Sequence, residues 1–156
     1  MNAPESHLPV AVPLTGAARG LISGIMPCLN AERFLAEAVA SVLAQSYGNV
    51  ELIVVDDGST DGSKRALSAY GERITLIEQA NRGPYPARNA GLLRARGEFI
   101  AFLDADDYWL PKTLAMLHGA LVGADADIAY CGWQNVGEGV ASEPYLPPEY
   151  ERGDPV

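Results

Sequence analysis

A chain of 156 residues is the length of one domain, enough to bury roughly 70% of the surface its unfolded form exposes. With 20 acidic against 11 basic residues the formal charge is -9, a field that repels polyanions and argues against nucleic acid or anionic membrane as a partner. Apolar residues make up 48% of the chain, mean hydropathy is near zero, and no apolar run reaches the ~18 residues needed to span a bilayer.

Met1 to Gly20, rich in Pro, Ala and Gly, has neither the basic start nor the apolar stretch of a secretory signal and reads as a flexible leader. Leu21–Leu29 is a short apolar strand that stops at Pro27 and Asn30, and Asn30 is placed to cap the next helix through its side-chain oxygen. In that helix Phe34, Leu35, Ala38, Val39, Val42 and Leu43 recur at helical spacing. Ser46–Asn49 turns the chain into a second strand, Val50–Val55, which ends in Asp56-Asp57-Gly58-Ser59. Thr60 and Asp61 can cap a helix through Lys64, Ala66 and Leu67, and Gly71 closes it before a third strand at Ile74–Ile77.

Asn81-Arg82-Gly83-Pro84 leads into a helix carrying Arg88, Asn89, Leu92 and Leu93, ended by Gly97. Phe99-Ile100-Ala101-Phe102-Leu103 has no polar interruption and reads as a strand buried on both faces. Pro111 opens a helix through Leu114, Leu117 and Leu121, and Ile128–Trp133 reads as a fifth strand. The expected organisation is a leader over 1–20, one domain over 21–134 and an irregular tail over 135–156. Cys28 and Cys131 fall in predicted strands and read as buried free thiols of a reducing compartment. His7 and His118 have no sequence partner and receive no role.

Strict alternation of strand and helix indicates an α/β fold with a mostly parallel sheet, which binds ligands outside the carboxyl ends of its strands. Three polar clusters lie at such ends: Pro27–Asn30, Asp56–Ser59 and Asp104–Asp107. Carboxylates cannot follow a buried strand inward, because an unpaired buried charge costs several kcal/mol or more. Asp104, Asp106 and Asp107 must therefore crowd at the strand's exit, and a divalent cation relieves their mutual repulsion. Asp104-Ala105-Asp106 is accordingly read as a metal and diphosphate site, with Asp107 a cap or a solvated neighbour. Asp57–Gly62 imitates the start of a calcium-binding EF-hand loop, but the twelfth position is Ser68 and a strand precedes it, so that reading fails. Of Asp56 and Asp57, facing opposite ways at a strand end, at least one is expected to be free for a ligand. Arg88 is either a solvated helix cation or a contact for phosphate or the acidic cluster, and Tyr108 and Trp109 are packing residues.

Three segments in this order and spacing, IMPCLNAERFLAEAVASVLAQSY, ELIVVDDGSTDGS and NRGPYPARNAGLLRARGEFIAFLDADDYWLP, resemble the nucleotide-sugar-binding part of glycosyltransferase family 2. The resemblance spans about residues 21 to 133 and implies a GT-A (Rossmann-like) mostly parallel sheet flanked by helices, apparently truncated after the fifth strand. It also implies that Pro27, Leu29 and Asn30 line a base pocket, with Asp56 beside them, and that Asp57 accepts a hydrogen bond from the base, typically uracil N3–H. Asp104 would lie near the ribose or metal, Asp106 would ligate Mn²⁺ or Mg²⁺, and Arg88 would hold the diphosphate or the acidic loop. Leu29 stands where many members have an aromatic residue, which weakens base stacking.

The implied reaction is metal-dependent, inverting sugar transfer from a nucleoside-diphosphate sugar, UDP-linked by preference, to an acceptor hydroxyl, with a carboxylate as general base. None of Glu138, Glu143, Glu149, Glu151 and Asp154 stands in the family's pattern for that base, so the acceptor-binding half is expected to be missing. A cytoplasmic location, at the inner membrane face through partners, and homo-oligomer formation are further expectations. Two rival functions remain: a catalytically silent nucleotide-binding module, and a receiver-type phosphoacceptor domain with Asp104 as the phosphorylated residue. The receiver needs a lysine ending a late strand, and no lysine follows Lys112.

Overall fold

A computed structural model of the chain describes residues 16–137 and 143–146. Most of the expected leader, and the tail apart from 135–137 and 143–146, lie outside these residues. Contacts divide the chain into a unit that runs to Pro111 and a second that begins at Lys112.

In the first unit, strands β1 (Ala18–Cys28), β2 (Val50–Asp56), β3 (Thr75–Glu78) and β4 (Gly97–Phe102) alternate with helices α1 (Leu35–Leu43), α2 (Ser63–Ser68) and α3 (Pro84–Leu92). The sheet is parallel throughout, in the order β3-β2-β1-β4. The chain winds outward from β1 through β2 to β3 and then crosses to the other side of β1, so the winding reverses between β1 and β4. Open α/β sheets bind ligands at such a reversal, where the connections after the two strands part and leave a crevice.

Successive residues of a strand point to opposite faces, and both faces of the two inner strands are covered. Met26 and Cys28 of β1 and Leu52 and Val54 of β2 pack with Leu35, Ala38, Val39 and Val42 of α1 and Leu67 of α2. Ile53 and Val55, on the other face, pack with Ala87 of α3. Each fully buried Val, Leu or Ile contributes roughly 1.5–3 kcal/mol, which is why the apolar stripe of α1 settles its orientation. Close approach of α3 to the sheet depends on Gly91: a Cβ there would lie 2.5 Å from Cγ2 of Ile25.

The structure differs from the sequence expectation at four points. β4 is an edge strand here, with Phe102 47% exposed, not a strand buried on both faces; a continuous apolar run does not say which side of a sheet has a neighbour. Asn30 does not cap α1, which starts at Leu35 without a side-chain cap, because its side chain turns to the β2–α2 loop instead. No strand forms over 128–133; in the second unit Trp133 makes a single antiparallel bridge to Tyr145, their rings stacked at 4.2 Å. An apolar run becomes a strand only where a partner supplies the ladder. Cys131 is consequently exposed, while Cys28 is buried as expected, and burial followed by the nearby Asp56 pushes the Cys28 thiol up. The second unit also contains α4 (Thr113–Ala124), ended by Asp125 in the left-handed conformation.

Candidate functional site

The ends of β1, β2 and β4 are set by register. Cys28 lies beside Asp56, and Phe102 beside Ile25, so residues 104–106 rise past the end of β1 on one side while Asp57 leaves β2 on the other. A cleft of about 330 Å³ opens between them, lined by Pro27, Leu29, Asn30 and Phe34 on the β1 side. Asp57, Pro84, Arg88, Asp104 and Asp106 complete the lining, with Cys28, Ala31 and Ala105. The structure thus brings Pro27, Leu29, Asn30, Asp57, Arg88, Asp104 and Asp106 to one place. Asp56 does not line the cleft: it is 3% exposed and accepts the Ser59 N–H at 3.3 Å.

Asp57 faces the cleft but is only 2% exposed. Its Oδ1 accepts the Gln79 side-chain amide at 2.7 Å and the Arg82 N–H at 3.0 Å, and its Oδ2 accepts the Gly83 N–H at 2.8 Å. Burial raises the pKa of this carboxyl, but the three hydrogen bonds and the Arg82 charge together outweigh it and hold the group below its ordinary value. Gly83 donates from a backbone φ of +93°, a conformation that favours glycine. Both carboxylates accept hydrogen bonds from the protein, and of the two only Asp57 lines the cleft.

The wall made by residues 29–32 is latched to the β2–α2 loop. Asn30, at φ +51°, accepts the Thr60 N–H at 2.8 Å and donates its own N–H to Ser59 Oγ at 3.0 Å. Ala31 N–H donates to Ser63 Oγ at 2.9 Å, Glu32 N–H to Asp61 at 3.1 Å, and Gly62 N–H returns to the Glu32 carboxylate at 2.9 Å. Asp61 also accepts the Ser63 N–H, but the N-cap of α2 is Gly62 and the helix starts without a side-chain cap, so the expected capping by Thr60 and Asp61 is corrected. Sequence reasoning saw a helix cap in this loop and missed the latch; its signal was a run of six polar or glycine residues, Gly58–Ser63, longer than one cap needs. Phe34 was missed as well. The sequence places it in the core stripe, yet it stands just before α1, is 42% exposed and lines the cleft.

The rim after β4 is different. Asp107 N–H closes a turn onto the Asp104 carbonyl, holding three carboxylates close together. Arg88 of α3 neutralises one, its Nη2 lying 2.5 Å from Asp104 Oδ1. Asp107 is pushed above the usual carboxylate range, first by partial burial and then by repulsion from Asp106 and Asp104. Among the described residues no three His, Cys, Asp or Glu side chains converge on a common metal position. That donor set does not suit zinc or an all-protein calcium cage. It fits Mg²⁺ or Mn²⁺, which bind through one or two carboxylates and complete their shell with water and phosphate oxygens. Asp106, exposed on the cleft wall, is a carboxylate that could hold such an ion.

Comparison with known proteins agrees with this architecture. The chain is 44% identical over 120 residues to an uncharacterized glycosyltransferase of Haemophilus influenzae, covering 71% of this chain and 48% of that protein. Staphylococcus aureus TarS 1-349, solved in complex with UDP-GlcNAc, superposes with a TM-score of 0.63 at 27% identity over 79% of this chain and 37% of that one. The mannosyltransferase PcManGT from Pyrobaculum calidifontis, solved with GDP-Man and Mn²⁺, gives 0.58 at 29% identity over 74% and 35%. The chain thus spans about half or less of the length of these relatives. The pattern described as Glycosyl transferase family 2 matches residues 23–152, most of the chain. Its parallel, helix-flanked sheet matches that of the GT-A neighbours, and the chain belongs to glycosyltransferase family 2.

Proposed function

We propose that the cleft holds the nucleoside-diphosphate part of a sugar donor, UDP-linked, and that this chain supplies the donor-binding part of a metal-dependent, inverting sugar transfer. The observation that carries the reading is the polarity of the cleft. One wall is apolar (Pro27, Leu29, Ala31, Phe34) and suits a flat base; another carries Arg88, Asp104 and Asp106 and suits a diphosphate bridged by a cation. Asp57 is an acceptor-only anion and repels phosphate, so it faces the N–H edge of the base. Leu29, 43% exposed, offers the base apolar contact without stacking. Mn²⁺ or Mg²⁺ on Asp106, with Asp104 close by, would supply Lewis-acid stabilisation of the leaving diphosphate. Arg88 adds a fixed positive charge at the same end, and Asp104 keeps that guanidinium in place. The receiver-type alternative fails against the family match, and it would phosphorylate an aspartate already paired with arginine.

A second reading, binding without transfer, is favoured by the commitments of the cleft carboxylates. Asp57 is bonded to the β3–α3 loop and Asp104 to Arg88, and Asp106 is assigned to the metal, which leaves none of the three as general base. Calorimetric titration with UDP and UDP-sugars, with and without Mn²⁺, tests the proposal on the natural chain and on Asp106→Ala. A metal-requiring interaction lost in the variant supports it; tight binding indifferent to both metal and substitution overturns it. Sugar release in the same mixtures separates transfer from silent binding.

A further inference from the structure

The hydrogen bonds on Asp57 limit what the cleft can recognise. A carboxylate offers about four acceptor positions, two on each oxygen. On Oδ1 both are taken, by Gln79 Nε2 at 2.7 Å and Arg82 N–H at 3.0 Å; on Oδ2 one is taken, by Gly83 N–H at 2.8 Å. One position remains, on Oδ2. The two backbone donors belong to the turn into α3, but Gln79 is a side chain on the segment after β3, held by its own N–H to the Asp56 carbonyl at 2.9 Å. It is the one donor on Asp57 that a substitution can remove while the main-chain bonds stay.

We infer that Gln79 is a specificity-determining residue: by filling Oδ1 of Asp57 it makes the cleft accept a base with one N–H on its pairing edge and reject a base with two adjacent ones. The inference rests on the reading that a nucleoside diphosphate puts its base against Asp57. Uracil shows a single N3–H between two carbonyls and needs one acceptor. Guanine shows N1–H beside an amino group and pairs with a carboxylate through both oxygens; here the second donor meets an oxygen already occupied. A polar group removed from water without a partner disfavours binding by about the value of one hydrogen bond to a charged acceptor, roughly tenfold or more in affinity.

Inosine diphosphate and GDP differ by that amino group alone, so their ratio isolates donor count from ring size. With Mn²⁺ present, titration of the natural chain is expected to show UDP binding, and inosine diphosphate binding about tenfold more tightly than GDP. Gln79→Met fills similar volume without a donor and frees the second position on Oδ1; it is expected to bring the inosine-to-guanosine ratio to about one or below while UDP still binds. Equal binding of the two purines by the natural chain overturns the inference, as does rejection of both, or a ratio unchanged in Gln79→Met. The first comparison needs no variant, so a folding defect in Gln79→Met does not remove the test. Absence of any UDP binding instead overturns the nucleotide reading itself.

Discussion

Two acidic groups stand at the carboxyl ends of strands, Asp56–Asp57 at the end of β2 and Asp104–Asp107 after β4, and the protein treats them oppositely. The first pair is buried, at 3% and 2% exposure, and accepts hydrogen bonds from the protein. The second group is exposed, with one arginine among three carboxylates and one of those carboxyls pushed up by partial burial and then by its acidic neighbours. Carboxylates that accept several protein donors help hold the fold, and Asp57 does so with three of its acceptor positions. The carboxylates after β4 have a single arginine between them and keep a net negative charge. Residue type and topological position are shared; the supply of donors separates the two.

The largest expected difference is in stability. Asp57→Ala strands the Gln79 amide and the N–H groups of Arg82 and Gly83, and is expected to destabilise the chain by about 3 kcal/mol in urea unfolding. A loss under about 1 kcal/mol would erase the contrast between the two groups. The same carboxyl sets an acid limit. Its folded pKa lies below the unfolded value of about 3.9, so its stabilisation is complete above that value and disappears as pH falls through the folded one. Asp57→Ala should therefore show a flatter loss of stability below about pH 4 than the natural chain.

Next in size is the latch that supports the β1 wall. Ser63 is fully buried and its hydroxyl accepts the Ala31 N–H, so Ser63→Ala leaves a buried donor unpaired at a cost of about 1–2 kcal/mol. Weaker nucleotide binding in the same variant, at temperatures where it stays folded, would show that the latch serves the pocket as well as the fold.

On the other rim the sign reverses. Asp107 has a raised folded pKa, so at neutral pH its charge opposes folding, and that opposition is relieved as pH falls and the native state takes up the proton first. Asp107→Asn is expected to stabilise the chain at pH 7 by about 0.5 kcal/mol or less, discounted for solvent screening, with the gain fading below about pH 4. A destabilised Asp107→Asn would place this residue with the architectural pair. The smallest stability effect is expected from Asp106→Asn, within about 0.5 kcal/mol of the natural chain, with loss of the thermal stabilisation given by Mn²⁺ and UDP together.

Much of the site could be read from the residues alone. The apolar runs of β1 and β2, the stripe Leu35-Ala38-Val39-Val42 and the polar clusters after three strands specify an α/β sheet with its ligand edge at the carboxyl ends, and the structure has that form. Local reasoning failed where the answer depended on a distant partner. Asn30 has the composition of a cap, but its side chain accepts the Thr60 N–H instead. Ile128–Trp133 has the composition of a strand, but no neighbouring strand accompanies it among the described residues.

What the order of residues determined by itself was which side chains would stand on one edge: period and strand ends follow from local sterics and apolar spacing. Only the tertiary structure decided which of those aspartates is committed to the protein and which faces outward. Gln79, Arg82 and Gly83 lie 22 to 26 positions beyond Asp57 and reach it only because β3 pairs beside β2. Hydrogen bonding is satisfied by neighbours in space, and in a parallel sheet those neighbours arrive only after a helical crossover has brought the chain back.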